Sequence, residues 1–191
     1  MASHVIHKLL MEHESKNFGI AYIYYNFRRQ QQQGPIDILA SLLKQLCRGS
    51  DKLPDAVSEL YKDHQRHQTR PSLEDISQVL QLVASRYTKT YIIIDALDEC
   101  SSSNRARQQL LEQLFLIQQG IPINLLATSR FSPDIEIFFE GRSTRLEIKA
   151  SEEDLQRYLD GSLQILPLFV WRSEELQRKV KRAIVEAVDG M

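Results

Sequence analysis

The chain has 191 residues and a formal net charge of −1, with 24 lysines and arginines against 25 aspartates and glutamates. Hydrophobic residues are 42% of it, which suffices for one sizeable core and excludes a disordered chain. The near-neutral balance gives no support for a nucleic-acid surface, which needs clustered Lys and Arg, and two cysteines without CxxC spacing, Cys47 and Cys100, argue against zinc and against a disulfide scaffold.

In chain order, residues 3–14 predict a helix, with Val5, Ile6, Leu9, Leu10 and His13 recurring at helical spacing. Gly19 opens the run Ile20-Ala21-Tyr22-Ile23-Tyr24-Tyr25-Asn26-Phe27, rich in β-formers and read as a buried strand. Arg28 to Gln33 is a polar loop. Pro35 suits the first turn of a helix whose face is Ile38, Leu39, Leu42, Leu43 and Leu46. Gly49 to Pro54 is turn-like, and a helix is expected from about Pro54 to Arg66. Ser72, three residues before Asp75, reads as the N-cap of a helix along Ile76, Val79, Leu80 and Val83.

Tyr91-Ile92-Ile93-Ile94-Asp95 is apolar until its last residue, the pattern of a strand buried on both faces in a parallel sheet. Ser101 to Asn104 is a polar loop, and a helix follows along Leu110, Leu111, Leu114, Phe115 and Ile117. Ile123 to Thr128 is a second buried strand, ending in Ser129-Arg130, and Thr144 to Ile148 a weaker, alternating third. Strands alternating with helices predict an α/β fold with a mostly parallel sheet. From Ser151 the pattern is helical only. Ser151 with Asp154 resembles a capping arrangement for a helix from Leu155 to Leu163. Ser173 caps an amphipathic helix along Leu176, Val180, Ala183, Ile184 and Ala187, with Trp171 as a hydrophobic anchor between the two. The shift places a boundary at residue 150, giving domains 1–150 and 151–191.

Met1 to Lys8 lacks the apolar segment of a secretory signal. The longest apolar stretch, Ile165 to Trp171, is interrupted by Pro167 and falls far short of the ~20 residues of a membrane span. A reducing cytoplasmic location with two free thiols is the expectation.

In parallel α/β sheets, ligands bind beyond the carboxyl ends of the strands. Asp95 lies at such an end, where a carboxylate can hold a magnesium-bound water. Asp98 and Glu99 follow on the turn. They are placed either to polarise an attacking water or merely to cap the next helix and face solvent. Arg130 ends the neighbouring strand after Thr128 and Ser129. It can reach the same cleft and face a γ-phosphate, or stand solvated. The pairs His4/His7 and His64/His67 lack partners at a ligand spacing and are not read as metal sites. Cys100 reads as a partly buried thiol rather than a nucleophile, since no histidine lies near it.

The motif order resembles the NACHT-type NTPases of the STAND signalling class, in particular the fungal group with a nephrocystin-like N-terminal domain. The residues that carry the resemblance are Ala21 to Phe27 (AYIYYNF), Ile38 to Cys47 (ILASLLKQLC), Leu53-Pro54 with Leu60-Tyr61, Arg70 to Asp75 (RPSLED), Tyr91 to Cys100 (YIIIDALDEC) and Leu125 to Ile135 (LLATSRFSPDI). It implies an incomplete P-loop NTPase core, with Asp95 as the Walker B metal residue and Asp98 and Glu99 as acids linked to hydrolysis. Thr128 and Arg130 become nucleotide contacts, Arg130 as the sensor, and the parent cofactor is Mg with ATP or GTP. Phe131 stands where the family usually has proline. None of the seven glycines is followed by lysine, so no G-x-x-x-x-G-K-[ST] phosphate loop occurs in these residues. The resemblance implies that the chain begins just after that loop and its strand and is cut again in the helical domain. It also implies partners or self-association through flanking domains, often ankyrin or WD repeats; the charge balance and the short apolar stretches give the separate expectation of no nucleic acid and no membrane. The expected function is a fragment of a nucleotide-switch signalling protein, expected to bind no cofactor and not to hydrolyse nucleotide alone. The alternatives are a nucleotide-free interaction module and a non-functional truncated gene product.

Overall fold

The computed structural model describes residues 2–26, 33–48, 52–100, 105–149, 151–162, 170 and 172–189. The loops expected after Asn26 and Cys100 and the anchoring role of Trp171 lie wholly or largely outside them. The described chain divides into two compact units, Met1–Gly141 and Arg142–Met191.

The first unit is α/β. Its elements are α1 (Ala2–Lys16), β1 (Phe18–Tyr24), α2 (Pro35–Cys47), α3 (Asp55–His67), α4 (Leu73–Ala84), β2 (Lys89–Asp95), a 3₁₀ turn at Leu97–Glu99, α5 (Ala106–Gly120), β3 (Ile123–Ala127) and α6 (Pro133–Phe139). The strands form one sheet in the order β1-β2-β3, both pairings parallel, with Tyr24 opposite Asp95 and Ile94 opposite Ala127. β2 is therefore central, which is why Tyr91 to Ile94 is apolar without alternation: each face meets a helical layer.

Side-chain alternation sorts the two faces. Ala21, Ile23, Ile92 and Ile94 join the main core with the buried stripes of α2, α4 and α5, the largest members being Leu39, Leu42, Leu46, Leu80, Leu110 and Leu111. On the other face Ile93 packs with Ala2 and Ile6 of α1, flanked by Leu9, Ile20, Tyr22, Tyr91 and Leu126. Gly19 is required at the start of β1, since a Cβ there would meet Tyr87 Cδ2 at 2.7 Å.

Local chemistry sets the helix ends. Pro35 opens α2. Ser72 Oγ accepts from Asp75 N at 3.1 Å while the Asp75 carboxylate accepts from Ser72 N at 2.8 Å, a complete capping box for α4. Gln68 ends α3 in the left-handed region at φ 53°. In the second unit, α7 (Glu152–Ser162) and α8 (Glu174–Asp189) start as the sequence predicts: Ser151 Oγ accepts from Asp154 N at 3.1 Å and Ser173 Oγ from Leu176 N at 3.3 Å. Lys181 pairs with Asp160 between the two helices.

Two expectations are corrected. Thr144 to Ile148 is not a strand; it pairs with no described strand, and Leu146 and Ile148 are exposed at 78% and 57%, so the alternation has no apolar surface to match. The first strand ends at Tyr24 rather than Phe27, because Asp95 closes the register opposite it.

Candidate functional site

The carboxyl ends of β2 and β3 form an open depression of about 300 Å³, lined by Asp95, Ala96, Asp98, Glu99, Thr128, Ser129 and Arg130. All five residues singled out from the sequence, Asp95, Asp98, Glu99, Thr128 and Arg130, thus meet in one place. Sequence spacing alone does not bring β2 and β3 together; their parallel pairing does.

The two strand ends are stitched by backbone and hydroxyl. Thr128 N donates to Ile94 O at 2.9 Å and Leu97 N to Thr128 O at 2.8 Å. Thr128 Oγ1 accepts from Ala96 N at 3.0 Å and donates to Asp95 Oδ1 at 2.6 Å. Ala96 itself lies at φ 57°, ψ 51°, a left-handed step that turns the chain out of β2 and into the acidic 3₁₀ turn. Asp95 O accepts from Tyr25 N at 3.0 Å, which ties the end of β2 to the residue just beyond β1.

Asp98 caps no helix. Its Oδ1 accepts from Arg130 N at 3.1 Å and its Oδ2 from Arg130 Nε at 2.6 Å, so one carboxylate holds one residue by backbone and side chain together. Burial works against ionisation of Asp98, yet the hydrogen bonds from Arg130 outweigh it and hold the carboxyl below its usual range. Reciprocally, the hydrogen bond to Asp98 raises the Arg130 guanidinium further. The Arg130 side chain remains 83% exposed at the rim, while Asp98 is only 13% exposed.

A fixed carboxylate beside a hydroxyl offers hard oxygen donors. Among the described residues no group of three or more His, Cys, Asp or Glu could enclose a metal ion. The donor set therefore fits a magnesium ion that keeps most of its waters and arrives with phosphate oxygens, not one held by protein alone. His64 instead faces Asp75 at 3.5 Å and His67 faces Asp63 at 3.4 Å.

Two residues escaped the sequence reading. Arg107, on α5, is buried behind the acidic turn: Nη1 donates to Asp134 Oδ2 at 2.6 Å and Nη2 to Cys100 O at 3.0 Å. Asp134 lies in the first turn of α6, itself unpredicted, where Pro133 at the first helical position was the available signal. Cys100 proves fully buried, 3% exposed, and burial raises its thiol, in keeping with an inert side chain.

A parallel sheet between helical layers, with acidic and basic residues at neighbouring strand ends, defines an α/β fold whose cleft lies at the carboxyl ends of the strands. One solved structure of similar fold is the ORC1 protein of Aeropyrum pernix in complex with DNA, at TM-score 0.54 and 15% identity, covering 84% of this chain and 38% of that one. The chain belongs to the family described as Nephrocystin 3, N-terminal, which matches residues 1–130. No curated protein matches. The chain spans little more than a third of the ORC1 protein's length, and the DNA in that complex belongs to that protein.

Proposed function

We propose that this chain carries the metal-and-sensor half of a nucleotide site from a NACHT-type switch protein and does not hydrolyse nucleotide by itself. The observation that carries the reading is the convergence of Asp95, Asp98, Glu99, Thr128 and Arg130 from two strand ends on one cleft. In it Asp95, with Thr128 bonded to one oxygen, would hold a magnesium ion through one of its waters. In an intact site Asp98 and Glu99 would supply the acids beside an attacking water, and Thr128 and Arg130 would face the terminal phosphate. The 191 residues contain no glycine-rich loop ending in Gly-Lys, the part that wraps phosphates with backbone N–H groups and contributes the lysine. The cleft therefore has a place for the metal and little to grip the nucleotide. No helix of the described residues is long and apolar enough to cross a membrane.

A calorimetric titration with Mg-ATP and Mg-GTP tests this, paired with a titration by Mn²⁺ alone. The expected result is no saturable nucleotide binding at near-millimolar concentration, and weak Mn²⁺ binding that Asp95→Ala removes. Tight nucleotide binding lost in Asp95→Ala would overturn the inactivity. Metal binding indifferent to Asp95→Ala would overturn the site. The rival reading, a nucleotide-free interaction module, draws on the Asp98–Arg130 pair, which already neutralises the arginine the phosphate would need.

A further inference from the structure

Arg107 sits one turn before Leu110 and Leu111 on the buried stripe of α5, and its side chain is only 11% exposed. A guanidinium in such a place is costly unless its donors are met. Here the two outer nitrogens are met by two segments that border the cleft. Nη1 pairs with Asp134 Oδ2 at 2.6 Å, in the segment after β3. Nη2 reaches Cys100 O at 3.0 Å and Asp98 O at 3.4 Å, in the turn after β2. Nε meets no partner among the described residues, so within them the fork is oriented by its two outer nitrogens.

Asp98 is consequently gripped from both sides. Arg130 holds its carboxylate and Arg107 its carbonyl, and Asp98 is itself the middle residue of the short 3₁₀ turn Leu97–Glu99 that follows β2. We propose that Arg107 is a positioning residue for the cleft: by fixing the Asp98 and Cys100 carbonyls against Asp134, it sets where the Asp98 carboxylate meets Arg130. The use of that cleft for nucleotide rests on the reading above; the positioning does not. The role suits arginine and not lysine. A planar fork serves a carboxylate and two carbonyls from one rigid group, whereas an ammonium at the same charge is a single point on a flexible stem.

The test is the Nε–Hε signal of Arg130 in ¹H–¹⁵N spectra of the full chain, assigned by its disappearance in Arg130→Lys. In the wild type, the bond to Asp98 should protect this proton from exchange with water and keep the signal visible. It should vanish in Asp98→Asn. Arg107→Lys retains the charge and a pairing with Asp134, and is expected to keep the dispersed spectrum of a folded protein while losing the Arg130 signal. A folded Arg107→Lys that keeps the signal would overturn the proposal, as would a wild type that never shows it. Should Arg107→Lys fail to fold, Asp134→Ala decides. It alters an exposed carboxylate that anchors the fork, and loss of the Arg130 signal supports the positioning while retention sinks it. These spectra contain no nucleotide or metal, so the nucleotide and Mn²⁺ titrations succeed or fail independently of them.

Discussion

Thr128 joins the two halves of the cleft through one hydroxyl, which accepts from Ala96 N and donates to Asp95 Oδ1. Thr128→Val keeps the shape and deletes both bonds, leaving a part-buried N–H and a carboxylate oxygen unmet. The expected loss is about 1–3 kcal/mol, read as a lower urea midpoint at unchanged slope. Asp98 makes a prediction of another kind. Its carboxyl is depressed in the fold by Arg130 against the opposing effect of burial. A depressed carboxylate contributes stability that is present above the unfolded value of about 3.9 and disappears as pH falls through the lower folded value. The stability gap between wild type and Asp98→Asn should thus be full at neutral pH and shrink below about pH 4. Urea melts of both proteins at neutral and acid pH check it, and a gap that stays constant contradicts it. At this scale the acids and Arg130 were readable because strand ends announce themselves by the stop of an apolar run. Arg107 was not, since an arginine in an amphipathic helix reads as solvated unless the position of Asp134 is known.

Among the elements, those with a chemical start signal were the legible ones. Pro35, Ser72, Ser151 and Ser173 each open a helix where the sequence places them. Ser72→Ala removes the acceptor for Asp75 N, and half the reciprocal capping box, at an exposed site free of packing complications. A loss of about 1 kcal/mol is expected, measurable as a fall in Tm. An unchanged Tm would mean that packing of Ile76, Val79 and Leu80 alone holds the first turn of α4. The misread element, Thr144 to Ile148, has the same alternation as a real half-buried strand. Period two records which side chains share a face, but it is silent on whether a neighbouring strand exists to pair with. The helix α6 failed in the opposite way: Pro133 opens it, but seven residues are too few for a helical period to emerge.

For the whole molecule, parallel strands between helices followed from continuous apolar runs, but strand order and the fate of the sheet edges did not. Backbone direction sorts the edges. Because Tyr25 N donates to Asp95 O, residues 21, 23 and 25 face β2, and Tyr22 and Tyr24 point outward. That outer edge of β1 is closed by glutamine amides. Gln45 accepts from Tyr22 N at 3.0 Å and donates to Tyr22 O at 2.8 Å, and Gln33 spans Tyr24 O and Asn26 N at 3.2 and 3.1 Å. Each amide stands in for a neighbouring strand, which is a way of protecting an edge from unwanted pairing. At β3 the situation differs. Thr128 and, by alternation, Leu126 and Asn124 face β2, so the N–H groups of Leu125 and Ala127 point away from it, and no described side chain or strand takes them. Amide hydrogen exchange should therefore divide the sheet unevenly. Leu125 and Ala127 should exchange faster than Leu126 and Thr128 beside them, and Tyr22, although on an edge, should be slow. Gln45→Ala should raise the exchange of Tyr22 towards that of Leu125 without touching β3. If Leu125 and Ala127 instead prove as slow as Leu126, their edge is covered in solution, and the three strands seen here are not the whole of the sheet.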